Sequence, residues 1–160
     1  MVNIQKKLIK PDIEDKEFSH SLMYQIHQMT FMTERLLEKK LSDKSPLSFS
    51  QFVIIMGINC HQLEGTSQSR LAEFLHMTEA TISRHIKSLE KSGLLLKAPS
   101  LVHKKLKLLS LSPDGKLAFT KTEQIIKREL DAIFGTLTNS DKKDLSKYFD
   151  RLLTSLLARK

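Results

Sequence analysis

Apolar residues recur along much of this chain at intervals of three and four positions, the spacing that places side chains on one face of an α-helix. The pattern predicts one helix over residues 16–42 near the N-terminus and two near the C-terminus, over 113–136 and 140–158. The outer helices carry apolar stripes formed by Leu22, Ile26, Met29, Met32 and Leu36, and by Leu145, Phe149, Leu152 and Leu156. Such stripes must pack against the rest of the chain or against a second copy, and the two alternatives are compatible.

Capping residues mark the start of one further helix and of the helix predicted over 113–136. Ser48 and Gln51 have the spacing of a capping box, which predicts that a helix begins between them. The sequence at 112–114, Ser-Pro-Asp, supplies an N-cap, a proline at the first helical position and an acidic first turn.

The centre of the chain contains two shorter helical patterns joined by a tight turn. A first helix is expected after Thr66, the predicted N-cap, because Leu71, Phe74 and Leu75 repeat with a helical period. The turn falls at residues 76–78, and a second helix of about four turns ends before Gly93, a residue type favoured just beyond a helix C-terminus. Two helices joined in this way form a helix-turn-helix.

The second of these helices has one apolar edge and one basic face. The apolar edge consists of Ile82, Ile86 and Leu89, and the opposite face of Ala80, Arg84, Lys87 and Lys91. A first turn of small residues lets the backbone approach DNA bases, Arg84 can donate two hydrogen bonds to guanine, and the lysines can reach phosphates. Taken alone, the segment could equally be a surface helix with a solvated basic face.

Beyond Gly93 the pattern changes from helical to alternating. Residues 94–98 are predicted to form a strand, 99–102 the outgoing side of a loop, and 105–108 the start of a return strand. The basic part of the loop is His103, Lys104 and Lys105. The sequence therefore predicts a winged helix-turn-helix in a mainly α-helical protein with a small β-wing.

The charge of the chain favours a polyanionic partner. The 160 residues carry a formal net charge of +8. Residues 84–107 contain a single acidic residue, Glu90, and seven basic residues, which are Arg84, Lys87, Lys91, Lys97, Lys104, Lys105 and Lys107. An anionic membrane would compete with nucleic acid only if this segment were one amphipathic helix, and the break at Gly93 argues against a membrane partner. The apolar run at 52–58 is too short to span a membrane, and the single cysteine and the absence of a signal-peptide pattern favour a cytoplasmic location.

In its order of segments the chain resembles MarR/SlyA-type transcriptional regulators. The resemblance is carried by QFVIIMGI at 51–58, by TSQSRLAEFLHMTEATISRHIKSLEKSGLL at 66–95 and by the wing end KLKLLSLSPDGK at 105–116. It implies a homodimer that binds a pseudo-palindromic operator in double-stranded DNA, with recognition helices in successive major grooves and wings in the flanking minor grooves.

The resemblance also assigns roles to parts of the chain. It implies a single domain over 1–160, with a DNA-binding lobe at 46–112 and dimerisation helices at 16–42 and 113–158. The implied DNA contacts are Ser67, Gln68, Ser69, Thr78, Ala80, Thr81, Ser83, Arg84, Lys87, His103, Lys104 and Lys105. The implied dimer contacts are Leu22, Ile26, Leu145, Phe149, Leu152 and Leu156.

The wing departs from the family pattern. Members usually carry Asp-Arg-Arg, in which the acid orients an arginine that enters the minor groove, whereas His103, Lys104 and Lys105 stand at the matching positions here. Lysine lacks the planar fork of arginine, so this wing is expected to contact phosphates rather than to read the minor groove.

A small apolar or aromatic effector is a further implication of the resemblance. Its pocket would lie between the dimerisation helices and the DNA-binding lobe, where the candidate lining residues are Met23, His27, Met56 and His61, although core packing explains them at least as well. Cys60 beside His61 could act as a redox sensor, but a lone cysteine on an apolar helix is more often a core residue. No catalytic, cofactor-binding or metal-ligand pattern is present, so neither an enzyme nor a metal or cofactor is predicted.

The remaining alternatives differ in sequence specificity. The first is a sequence-specific transcriptional regulator modulated by a small molecule. The second is an architectural or competitor DNA-binding protein with low sequence specificity, which the lysine-rich wing favours. A comparison of specific and nonspecific affinity at one salt concentration separates them.

Overall fold

The computed structural model describes residues 21–60, 66–100 and 107–159. Within these ranges the elements, in chain order, are helices α1 (Leu22–Leu41), α2 (Phe49–Cys60), α3 (Gln68–Phe74) and α4 (Glu79–Lys91), strands β1 (Leu95–Pro99) and β2 (Lys107–Leu111), and helices α5 (Pro113–Phe134) and α6 (Asn139–Leu157). The two strands pair antiparallel, with Leu95 opposite Leu111. This mainly helical architecture confirms the predicted winged helix-turn-helix fold.

Capping residues set the starts of α2 and α5 as the sequence predicts. The Gln51 N–H donates to Ser48 Oγ at 3.2 Å, and the Ser48 N–H donates in return to Gln51 Oε1 at 3.0 Å. At the start of α5 the Gly115 N–H donates to Ser112 Oγ at 2.9 Å, with Pro113 in the first turn. Each bond satisfies a backbone donor that has no partner inside its helix.

The predicted N-cap of α3 is wrong by one residue. Ser67 is the cap, because its Oγ accepts the Arg70 N–H at 3.3 Å. Thr66 instead forms a β-bridge with Leu109, whose N–H donates to the Thr66 carbonyl at 2.9 Å. Its pairing partner lies in β2, more than forty residues away, so local sequence could not separate two adjacent hydroxyl residues.

The C-terminus of α4 ends in a Schellman motif, which confirms Gly93 as the residue just beyond the helix. Gly93 has φ +73°, its N–H donates to the Glu90 carbonyl at 2.9 Å, and the Leu94 N–H donates to the Leu89 carbonyl at 2.9 Å. Because Leu94 serves this cap, β1 begins one residue later than predicted, at Leu95.

Gly93→Ala tests this turn. A Cβ at Gly93 would meet no atom within 4 Å, so the left-handed backbone is the whole source of strain. We expect the substitution to lower the free energy of unfolding by roughly 1–2 kcal/mol in urea titration. Equal stability of wild type and Gly93→Ala would contradict the strain argument.

The main core holds α4 by its apolar edge. Ile82, Ile86 and Leu89 are fully buried, in a cluster with residues from α2, α3, both strands and the start of α5. The start of α5 packs closely against the backbone just beyond α4, because a Cβ on Gly115 would overlap the Leu94 carbonyl oxygen. Packing of this kind fixes which side of α4 faces solvent.

A second, smaller core joins the long helices α1 and α5 to α2. Leu37 and Leu41 of α1 pack with Phe52 of α2 and Ile126 of α5, and the Phe52 ring stacks on Phe119 with centroids 5.3 Å apart. The rest of α1 is not buried, and α6 has no buried residue among those described. No helix in the described ranges is long and apolar enough to cross a membrane.

Candidate nucleic-acid interface

The recognition helix α4 presents a polar and basic face to solvent. This reading face is defined by its exposed residues Ala80, Arg84, Lys87, Ser88 and Lys91. Thr81 and Ser83, also expected to contact DNA, are half-buried on its flanks. The buried edge determines which side of α4 faces solvent, so the exposed face is available to a macromolecule without rearrangement of the core.

Several hydroxyls expected to contact DNA have capping roles. Thr78 Oγ1 accepts the Thr81 N–H at 3.2 Å and lies 2.9 Å from Thr81 Oγ1. Ser67 Oγ caps α3 and lies 3.1 Å from Ser69 Oγ. These bonds orient the first turns of both helices, and each hydroxyl can still make a further hydrogen bond with a phosphate.

Gln68 is also engaged within the helix-turn-helix. Its Nε2 donates to the carbonyl oxygen of Glu79 at 3.5 Å, which links the start of α3 to the first turn of α4. The Glu79 side chain is exposed at the N-terminus of α4, where a carboxylate interacts favourably with the helix dipole.

One acidic side chain next to the interface is paired with a lysine of the wing. Lys97 Nζ of β1 lies 2.6 Å from Glu90 Oε2 of α4, with both side chains about a quarter to a third exposed. The pair joins the wing to the recognition helix and offsets one of the basic charges counted from the sequence. The predicted wing contacts His103, Lys104 and Lys105 lie outside the described residues.

The sequence reasoning missed Ser88 as part of this surface, and it missed the contact between Ser88 and Gln51. Ser88 follows Arg84 by one helical turn on the reading face, and its Oγ accepts a hydrogen bond from Gln51 Nε2 of α2 at 3.2 Å. The four-residue spacing from Arg84 could have suggested Ser88. The partner in α2 has no signal in the local sequence, because 37 positions separate the two residues.

A large apolar cavity, called here the interhelical groove, lies among α1, α5 and α6. Its volume is about 1010 Å³. Of the residues predicted for dimerisation, it is lined by Leu22, Ile26, Leu145, Phe149 and Leu152. Leu156 does not line it and is 65% exposed. The structure therefore brings most of the two terminal stripes together along one surface.

The residues predicted to line an effector pocket are placed elsewhere. Met23, His27 and Met56 are exposed and do not line the interhelical groove, and the His27 ring stacks on Phe31 with centroids 6.3 Å apart. Met23 and His27 do not face the groove because each lies one position, or about 100° of helical rotation, beyond a residue of the stripe that begins at Leu22. His61 lies outside the described residues.

Cys60 is exposed at the end of α2, so the core interpretation of this cysteine is wrong. It follows Ile58, the last buried position of the helix, by two residues and therefore lies off the buried face. Among the described residues no group of three or more His, Cys, Asp or Glu side chains could hold a metal ion.

Known proteins share this sequence pattern. Residues 47–105 match the model of the MarR family. The uncharacterised HTH-type transcriptional regulator YybA of Bacillus subtilis strain 168 is 23% identical over 122 residues, which cover 73% of this chain and 81% of that protein.

Solved structures share the fold. MepR of S. aureus in its DNA complex has a TM-score of 0.78 at 18% identity, with 89% of this chain and 99% of that chain covered. A cysteine-to-serine mutant of E. coli MarR bound to operator DNA has a TM-score of 0.76 at 20% identity, with 87% and 99% covered. The organohalide-sensing regulator RdhR in its 2,4-dichlorophenol-bound form has a TM-score of 0.75 at 26% identity, with 90% and 84% covered.

The fold is a winged helix-turn-helix in which α4 exposes a polar and basic face. The family match covers the helix-turn-helix and the start of the wing, so this part of the chain is similar to the MarR family.

Proposed function

We propose that this protein is a sequence-specific transcriptional regulator that binds a pseudo-palindromic operator as a homodimer and responds to a small apolar or aromatic effector. The observation that carries the proposal is that the protein has both an exposed basic reading face on α4 and an apolar interhelical groove. The groove is formed mainly by helices from the two ends of the chain. The first surface suits DNA, and the second suits another copy of the chain.

Exposed apolar area supports the dimer. Leu22 is 75% exposed, Leu152 50% and Phe149 41%, and all three line the same groove. A protein in water rarely leaves so many large apolar side chains uncovered along one surface, because their burial is favourable in proportion to area. A second copy related by a two-fold axis would cover this surface and present its own stripe in return.

A dimer also supplies the specificity that one recognition helix lacks. A single helix contacts only a few base pairs, whereas two helices held about 34 Å apart read two half-sites in successive major grooves. The reading face includes Arg84, the side chain that can form a bidentate contact with guanine.

The groove also supports an effector site. Its wall is predominantly apolar and includes Phe49 of α2, so a ligand beside Phe49 would touch both the long helices and the helix-turn-helix lobe. Relatives include a regulator crystallised with 2,4-dichlorophenol. An apolar or aromatic effector beside Phe49 would alter the position of the lobe relative to the dimer axis.

In vitro selection tests the proposal. Wild-type protein is incubated with a random pool of DNA duplexes roughly 40 base pairs long, about four helical turns, and bound molecules are sequenced. We expect inverted half-sites at one dominant spacing. A bound pool without a shared motif, together with equal affinity for selected and random DNA at one salt concentration, would instead support the low-specificity alternative favoured by the lysine-rich wing.

The wing is expected to contribute mainly charge. Replacement of Lys104 and Lys105 by alanine should weaken binding to selected and random duplexes alike. It should also reduce the slope of log K against log salt by about 0.9 for each phosphate that the variant no longer neutralises. Fluorescence anisotropy titration over a range of salt concentrations measures both effects. If the slope stays at its wild-type value, the wing does not contact phosphates.

A further inference from the structure

The first turn of α2 contacts both the dimerisation helices and the recognition helix. On one side, the Phe49 N–H donates to Glu38 Oε2 of α1 at 2.8 Å. The side chain of Phe49 lines the interhelical groove. The start of α2 is therefore tied to α1 at the place where the DNA-binding lobe meets the groove.

On the other side, Gln51 binds the recognition helix. Its Oε1 accepts the Ser48 N–H at 3.0 Å, and its Nε2 donates to Ser88 Oγ at 3.2 Å. Because the amide group is planar, the bond to Ser48 fixes the direction in which Nε2 points. Gln51 thus holds Ser88 of the reading face at a fixed position relative to the capped N-terminus of α2.

The dimerisation helices form the fixed part of this arrangement. Lys40 Nζ of α1 lies 3.2 Å from Glu129 Oε1 of α5. Just beyond α1, Ser45 Oγ lies 2.7 Å from Thr122 Oγ1 of α5, and Thr122 is completely buried. These contacts reinforce the shared apolar core of α1 and α5. The bond that Glu38 accepts from Phe49 therefore fixes the position of α2 relative to both helices.

Directional bonds are needed because apolar packing leaves small rotations open. The buried edge of α4 determines which face is exposed, but burial energy depends on area and has no preferred direction. Hydrogen bonds weaken steeply as their angle departs from linearity. The connection Glu38–Phe49–Gln51–Ser88 can therefore set the angle of α4 relative to the dimerisation helices more narrowly than packing does.

We infer that Glu38 and Gln51 are positioning residues that set the half-site spacing this protein accepts. In a dimer, the angle of α4 relative to α1 determines the distance and twist between the two reading faces. The inference rests on the proposed dimeric function. It also explains how a ligand in the groove could change DNA affinity, because displacement of Phe49 by the ligand would move the same turn of α2.

The experiment uses the full chain and the random duplex pool described above. Ser88→Ala removes the acceptor for Gln51, and Glu38→Ala removes the acceptor for Phe49 at a site outside the reading face. We expect both variants to bind half-sites at a wider range of spacings. Glu38→Ala, which lies outside the reading face, should also recover the wild-type half-site sequence. The number of recovered duplexes with the dominant spacing, divided by the number with neighbouring spacings, should fall roughly threefold to tenfold. Glu38→Gln and Ser88→Thr, which keep an oxygen acceptor, should retain the wild-type distribution.

A double variant, Glu38→Ala with Ser88→Ala, should broaden the spacing no more than either single change, because both interrupt one connection. If the alanine variants lose affinity but keep the wild-type spacing distribution, Ser88 is a phosphate contact, Glu38 is structural and the inference is wrong. A wild-type pool with half-sites at no preferred spacing would overturn the proposed dimeric function, and this inference with it.

Discussion

Leu152→Glu is expected to convert the protein to a folded monomer that has largely lost operator binding. Leu152 lines the interhelical groove and is 50% exposed in the single chain, so a glutamate there would be solvated and harmless to the fold of one protomer. In a dimer the same carboxylate would be buried without a partner, at a cost of several kcal/mol. Sedimentation velocity measures the mass, and circular dichroism the helix content.

The matched control for this substitution is Thr154→Glu. Thr154 is exposed two positions further along α6, on the opposite side of the helix, and the change adds the same charge. The control should remain dimeric and should bind selected duplexes within a few-fold of wild type. A wild-type protein that sediments as a monomer at micromolar concentration, or a Leu152→Glu protein that stays dimeric, would show that the groove is not the dimer interface.

Arg84→Ala is expected to weaken binding to the selected operator by roughly 1–3 kcal/mol, equivalent to about a fivefold to 160-fold rise in Kd, and to relax base preference at one position of each half-site. The reason is the exposed position of Arg84 at the centre of the reading face, over the fully buried Ile82 and Ile86 that hold the helix in place. Folding should be unaffected because the side chain is not part of the core.

Arg84→Lys separates base recognition from charge. Lysine keeps the positive charge but cannot donate two parallel hydrogen bonds to guanine, so this variant should regain nonspecific affinity without regaining base preference. Anisotropy titrations with selected and random duplexes at one salt concentration provide both values. An equal loss on the two DNAs in Arg84→Ala would identify Arg84 as a phosphate contact instead.

The helix ends and the exposed face of α4 follow from neighbouring residues in the sequence. Ser48 with Gln51, Ser112 with Pro113, and Gly93 each act within three or four positions along the chain, and the structure confirms all three. Local hydrogen bonds of this kind need no tertiary partner, so the sequence alone determines them. The apolar edge of α4 is equally local, because helical periodicity decides which side chains can enter a core.

Contacts between distant segments were decided by tertiary structure. Whether Thr66 or Ser67 caps α3 depended on β2, and the pairing of Glu90 with Lys97 depended on the path of β1 past α4. The same applies to the bond from Gln51 to Ser88. Each of these residues has several possible partners of suitable chemistry along the chain, and only packing of the elements brings one of them within hydrogen-bonding distance.

The location of the groove shows the same division. The sequence determined that the terminal helices carry apolar stripes, because the period of three to four residues is visible in Leu22 and Ile26 as in Phe149 and Leu152. Tertiary structure decided that these stripes meet in one groove and that Met23, His27 and Met56 stay outside its wall. A helical period defines a face but not its partner, since the partner depends on how the turns between helices direct each axis.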